Sequence, residues 1–364
     1  MSVATEVAVE RVDVSAYTIP TDEPESDGTL EWDSTTIVVV EARGGGETGL
    51  GYSYAHKAAA TVIVDTLAKA VEGKALDPGA LWEEMGRQLR NAGRPGIGFT
   101  AVSAVDTALW DLQARLLRVP LVTALGSARE RAEIYGSGGF TSYSRDRLSE
   151  QLGGWVADGI PRVKMKVGRD DGADPARLET ARDAIGNGAA LYVDANGAYS
   201  RKQALAWAER YAFEWDVTWF EEPVSSADFE GLRLLRDRVP AGMDVAAGEY
   251  AYVPADFRNL LECVDCLQVD VTRGGGFTGF LRAAALAAAH GLDVSAHCAP
   301  QLSAHVCCAV PRFRHIEYFH DHVRIESLLF DGVLEPDDGA LRPDRSRPGN
   351  GLELKRADAE RFAA

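Results

Sequence analysis

Lysine is scarce in this chain: seven of its 38 basic residues, the rest being arginine. Positive charge as a whole is in deficit, with 55 acidic residues and a formal net charge of −17. A surface of that sign repels nucleic acid and anionic membranes, so neither is an expected partner. Long apolar runs are missing too. The longest, AAALAAAHGLDV (283–294), falls short of the roughly 18 uncharged apolar residues that span a bilayer. The opening MSVATEVAVERVDV has charges inside its apolar stretch and is not expected to be a signal peptide. There are five cysteines, an odd number, all in the last third of the chain, which argues against a secreted disulfide framework. Cys263 and Cys266 form a CxxC, a spacing used for zinc or redox chemistry. No second pair lies at finger-like distance and Cys266 opens an apolar run, so buried inert thiols are expected. A cytoplasmic location follows as the expectation.

What is present is soluble and globular in character, 46% hydrophobic and 26% charged, and 364 residues is long enough for two domains. From about residue 132 the chain has a rhythm. Short β-prone runs begin at AEIYGSGG (132), RVKMKVG (162), ALYVDANG (190), TWFEEP (218), VAAGEY (245), CLQVDV (266), VSAHCAP (294) and HIEYFH (315). Most of the gaps hold an amphipathic helix, such as RKQALAWAERYAF. Eight strands with helices between them describe a parallel (β/α) barrel, with an open doubly wound sheet as the alternative. The last gap is short and places a helix around QLSAHVCCAV. The spacing therefore divides the chain into an α+β domain over 1–125, opened by three strands, a barrel over 126–325, and a tail over 326–364 that packs back on the first domain.

In such a barrel the active site lies at the carboxyl ends of the strands. The polar residues there are Lys164 and Lys166, Asp194 and Asn196, Glu221 and Glu222, Glu249, Asp270, His297 and Glu317. Asp194, Glu221 and Glu249 fall one per successive unit. Three converging carboxylates repel one another unless a hard divalent cation joins them, and Mg2+ suits that oxygen set. Each alone is as readily an exposed loop residue; it is the shared register that points to a metal. Asp270 and His297 sit on adjacent strands, where the carboxylate can orient the ring and raise its pKa. The other histidines named by the pattern, 290, 305, 315 and 320, are expected to be structural. Burial and mutual repulsion lower a lysine pKa, which makes one of Lys164 and Lys166 a base. The GGGFTG at 274–279 matches a dinucleotide-binding glycine pattern, but a simple glycine turn in the sixth unit of a repeat explains it.

These residues resemble the enolase superfamily, specifically its mandelate racemase subgroup. The pieces that carry the resemblance are SAVDTALWDLQARLLRVPLVTALG (103–126), KMK (164–166), VDANGAY (193–199), FEEP (220–223), AGEY (247–250), DVTRGGG (270–276), HCAP (297–300) and PGNGLEL (348–354). The resemblance implies a modified TIM barrel, (β/α)7β, under an α+β capping domain completed by the carboxyl-terminal tail. It implies Mg2+ on Asp194, Glu221 and Glu249, with Lys166 as one acid/base and the His297–Asp270 pair as the other. It further implies that Lys164 meets the substrate carboxylate, that Glu317 donates to the developing enediolate and that Asn196 contacts substrate. Enolase itself and the muconate cycloisomerase group use a lysine after the sixth strand, where this chain has Asp270-Val-Thr-Arg273. The implied reaction is removal of the proton α to a carboxylate. Dehydration of an acid sugar to a 2-keto-3-deoxy acid follows, or racemisation of a hydroxy acid, with a non-catalytic Mg2+ and carboxylate binder as the rival. A homo-oligomer is implied as well. Specificity is expected from the acidic loop 21–32, read as solvated, and from Gly51–His56. Any acid of that loop reaching the pocket would favour a monoacid over a diacid.

Overall fold

The computed structural model describes residues 7–364; the first six, part of the stretch considered above as a signal peptide, lie outside the described residues. Three antiparallel strands come first, β1 (Arg11–Ser26), β2 (Glu31–Gly44) and β3 (Glu47–Tyr54), in the order β1-β2-β3. The β-branched run of β2 is continuous because both faces are buried. Ile37 and Val39 belong to the core shared with the barrel, while Val38 and Val40 face the core of the amino-terminal helices. The helix Ile97–Leu116 packs across β3, and Gly51 lies against its backbone at Ala108.

Eight parallel strands follow: β4 (Ala132–Gly138), β5 (Arg162–Lys166), β6 (Ala190–Asp194), β7 (Val217–Glu221), β8 (Asp244–Ala247), β9 (Cys266–Asp270), β10 (Asp293–His297) and β11 (Phe313–Phe319). Each pairs with the next, and β11 pairs with β4, so the sheet closes into a barrel and is not the open alternative. The short seventh connection does hold a helix, Pro300–Ala309. Inside, strand pleating stacks the inward residues in layers. Tyr192 and Trp219 lie in register with Lys164, and one layer higher Lys166, Asp194 and Glu221 lie side by side, as do His297 and Asp270. Tyr135, Tyr192, Trp219 and His315 fill the space beneath.

The acidic segment 21–32 is not a solvated loop. The strands run on through it, with Glu25 opposite Trp32 and Ser26 opposite Glu31 after an irregularity at Pro20, and form a hairpin whose tip is 27–30. The tip docks on the barrel mouth. Thr141 N–H donates to Ser26 O at 2.8 Å, Thr141 Oγ1 to Asp27 O at 3.1 Å, and Ser142 Oγ to Pro24 O at 2.7 Å. A Cβ on Gly28 would lie 2.4 Å from Ala195 O and 2.8 Å from Val167 O, so only glycine permits this approach.

The glycines of GGGFTG receive the helix Ile97–Leu116. Gly275 and Gly276 N–H both donate to Ser103 Oγ, at 2.9 and 3.1 Å, and Thr278 Oγ1 donates to Asp106 at 2.6 Å. All five cysteines are buried and free. After β11 come the helix His320–Leu329 and the strand Phe330–Asp331, which pairs with Glu353–Leu354. Residues 350–364 return to the first strands. Asn350 N–H donates to Asp111 at 2.5 Å, its side-chain amide to Leu50 O at 2.8 Å, and Ala364 N–H to Ala16 O at 3.0 Å.

Candidate active site

The strand ends change backbone direction sharply at the barrel mouth. Asn196, Glu222, Cys298 and Ala299 all have positive φ, between 39° and 51°, a left-handed conformation that non-glycine residues adopt at a cost. Such strain concentrates at functional sites. All four follow β6, β7 or β10, beside the side chains singled out above.

Those side chains converge. Lys166 Nζ donates to Asp194 Oδ2 at 2.6 Å. Lys164 Nζ reaches Asp194 at 3.2 Å, Glu317 at 2.8 Å and also Glu221. His297 Nδ1 lies 2.6 Å from Asp270 Oδ2, whose other oxygen accepts from Thr272 N–H and Oγ1 at 2.6 and 2.7 Å. His297 Nε2 is 3.2 Å from Glu249 Oε2. Lys166, Asn196, Glu249 and His297 line a cavity of about 360 Å3. Lys164, Asp194, Glu221, Asp270 and Glu317 form its buried support and do not line it.

The electrostatics differ from the expectation for the lysines. Burial pushes the Lys166 ammonium down, but Asp194 and other carboxylates outweigh burial and Lys164, and its pKa is held above the ordinary lysine value. Burial likewise opposes the His297 imidazolium, yet its neighbours, with the carboxylates Glu249 and Glu317 and the hydrogen bond to Asp270 among them, raise it well above the usual range. Glu221 is pushed up to about 8, first by burial and then by Asp194. Glu317 is held low: burial favours its proton, but Lys164, His297 and Lys166 prevail. It accepts from Ser137 Oγ at 2.6 Å and Cys298 N–H at 3.2 Å, so donating to an enediolate would first require a proton on it.

Asp194, Glu221 and Glu249 each bring a carboxylate oxygen within 4.8 Å of the others. Around the mouth, six acids (Asp194, Glu221, Glu222, Glu249, Asp270 and Glu317) face four basic groups (Lys164, Lys166, Arg273 and His297). Glu249 Oε2 and Glu222 Oε1 are buried without a hydrogen bond, the former because His297 Nε2 approaches within ion-pair distance but not in hydrogen-bonding geometry. Unpaired buried carboxylate oxygens are costly, and an oxygen-seeking cation relieves them. The residues fit Mg2+.

Trp32 and Tyr54, from the two stretches expected to set specificity, line the cavity; Thr35 from β2, and Arg273, Cys298 and His322 from the barrel, do so too and escaped the sequence pattern. Of the expected Gly51–His56 stretch, only Tyr54, Ala55 and His56 reach the cavity. Of the five acids in 21–32, only Asp27 does. Glu25 instead accepts from Trp32 Nε1 at 2.8 Å, and Glu31 pairs with Arg169. His290, His305, His315 and His320 stay out of the cavity.

A closed barrel with a cap over a carboxylate-rich mouth defines an enolase-type enzyme. Residues 14–126 match the model of the mandelate racemase/muconate lactonizing enzyme amino-terminal domain, and residues 147–359 match the enolase carboxyl-terminal domain-like model. The 3,6-anhydro-α-L-galactonate cycloisomerase of Streptomyces coelicolor is 30% identical over 95% of this chain and 97% of its own length. A crystallised mandelate racemase/muconate lactonizing enzyme-like protein from Rubrobacter xylanophilus superimposes with a TM-score of 0.97 at 59% identity, covering 98% of this chain and 100% of that one. L-Talarate dehydratase from Polaromonas sp. JS666, crystallised with Mg and L-glucarate, gives a TM-score of 0.89 at 30% identity over 99% and 98% of the two chains. The chain belongs to the mandelate racemase/muconate lactonizing enzyme family of the enolase superfamily.

Proposed function

We propose that this enzyme removes the proton α to the carboxylate of a sugar acid or hydroxy acid and then expels a β-hydroxyl as water, giving a 2-keto-3-deoxy acid. The observation that carries the reading is the placement of Lys166 and His297. They stand on β5 and β10, across the barrel from each other, line one cavity, and each contacts a buried carboxylate. One takes the α-proton, and the other stands at the opposite face of the substrate to protonate the departing hydroxyl. Asp270 accepts the Nδ1 proton of His297 and leaves Nε2 to exchange protons with substrate. Lys164 neutralises Glu221 and Glu317; its charge opposes the proton on Lys166, but Asp194 outweighs it. Asn196, whose buried Oδ1 has no partner, is assigned to a substrate hydroxyl. Asp194, Glu221 and Glu249 would hold Mg2+, which when bound supplies the positive charge that stabilises the oxyanion growing on the substrate carboxylate.

Dehydration stands first because the Polaromonas relative is a dehydratase and further relatives are named as dehydratases of sugar acids. Racemisation or epimerisation is the second reading, favoured by two proton-carrying groups on one cavity. Asp27 in the cavity wall favours an aldonate-type monoacid over a diacid. The test is incubation with Mg2+ in D2O and a panel of aldonates, aldarates and hydroxy acids, followed by proton NMR. Loss of the α-proton with new methylene signals is the expected result. Inversion without water loss would favour the second reading, and silence across the panel would overturn both in favour of a non-catalytic binder.

A further inference from the structure

His322 lies in the first turn of the helix His320–Leu329, on the same cavity wall as His297. Its ring is clamped. Nδ1 accepts the backbone N–H of Ala299 at 3.2 Å. Tyr54, from β3, stacks on its face with centroids 3.3 Å apart and planes 8° from parallel, and Phe319 meets its ring edge-on at 5.1 Å. A nitrogen that accepts an N–H bears no proton, so the neutral ring carries its hydrogen on Nε2. Among the described residues nothing bonds Nε2, and it is not one of the buried unpaired atoms, so it faces open space, which here is the cavity. Burial, helped by the nearby His297 and Arg273 charges, lowers the ring pKa to about 3.

We propose that His322 is a specificity residue whose Nε2–H donates to a hydroxyl oxygen of the substrate chain beyond the reacting α and β carbons. The inference rests on the acid-substrate reading above. A single N–H on a rigid ring whose tautomer is fixed by Ala299 can donate and cannot accept. Its complement is an acceptor oxygen, and a sugar acid offers hydroxyl oxygens along its chain. A site that presents an immobile donor discriminates against an analogue lacking the acceptor, because the donor is then left unpaired. The ring is held by Tyr54 from the cap and Ala299 from the barrel, so the donor is positioned only when the two parts are together.

Two substitutions separate this role from a structural one. His322→Asn keeps an acceptor for the Ala299 N–H but does not reach the Nε2 position. His322→Gln carries an amide N–H to that position and loses the Ala299 bond. The probes are D-gluconate, D-galactonate and L-mannonate, each compared with its 4-, 5- and 6-deoxy counterpart, with Mg2+ in D2O, reading kcat and KM for α-proton loss. The wild-type enzyme is expected to prefer a hydroxylated acid over one of its deoxy partners by about tenfold in kcat/KM, on the order of one net hydrogen bond. In H322N that preference collapses, mainly through KM of the hydroxylated acid, and in H322Q it is largely retained. An unchanged preference in H322N, or a preference lost in H322Q as well as in H322N, overturns the proposal and leaves the acid-substrate reading standing. Silence of the wild-type enzyme on every acid removes that reading, and this inference with it.

Discussion

In the proposed reading Lys166 and His297 move protons from opposite walls, and their substitutions should separate the two outcomes proposed for the site. K166M and H297N are each expected to lower turnover at least about a hundredfold, the usual contribution of a positioned acid or base. In a racemase, each variant would still exchange the α-proton of one enantiomer, the one whose proton faces the remaining base; this is read by NMR in D2O with single enantiomers. K166R is expected to be as impaired as K166M, because a guanidinium does not release its proton near neutrality. At the proposed metal ligands, E249Q should weaken Mg2+ binding measured by calorimetry, because it removes one negative charge from the Asp194, Glu221 and Glu249 cluster. The spacing of Asp194, Glu221 and Glu249 was legible in the sequence because a barrel delivers one side chain per strand end, and that periodicity survives folding unchanged. His322 was not legible. It lies beyond its strand, and nothing in EYFHDH marks it apart from His320, which faces Asp22 instead.

The hairpin of β1 and β2 shows where sequence patterning fails at the level of an element. TDEPESDGTLEW is polar enough to read as a solvated loop, yet Glu25, Ser26 and Asp27 are buried and its strands stay paired. Long-range contacts to 140–142 and to the turns after β5 and β6 stabilise it, and no local signal encodes them. The starts of the barrel strands, by contrast, were placed within two residues, because their apolar runs are buried and bounded by turns. Two predictions belong here. G28A should force the tip away from Ala195 and Val167, raising KM severalfold while kcat changes less, as steady-state kinetics would register. D27N should shift the ratio of aldarate to aldonate turnover toward the aldarate; a ratio unmoved by the substitution would end the monoacid argument.

For the molecule as a whole, burial of acids between cap and barrel sets a pH dependence of stability. Glu326 accepts from Tyr52 Oη at 2.5 Å, has an unpartnered Oε2, and is raised by burial to about 8. A carboxyl with a raised folded-state pKa binds its proton more tightly when folded. Its contribution is therefore present below about pH 4.5 and is lost as pH rises toward 8. The melting temperature of the wild-type protein should fall over that interval, and E326Q should flatten the decline. Asp111 is the second global prediction. Wholly buried, it accepts from Leu50 N–H and Arg115 at 2.7 Å and from Asn350 N–H at 2.5 Å. D111A, which leaves these donors without their carboxylate, should cost about 3 to 5 kcal/mol in urea unfolding.

That junction also bears on how the protein is made. Asp111 joins strand β3, the helix Ile97–Leu116 and the residues from 350 onward, which are synthesised after every side chain proposed for the chemistry. Until that last segment leaves the ribosome, neither Asn350 nor Ala364 can tie down the first strands. The nascent chain can thus build its chemical machinery before it can fasten the roof that carries Tyr54, Trp32 and Asp27. The cap stays unfastened at that point until synthesis has passed residue 350.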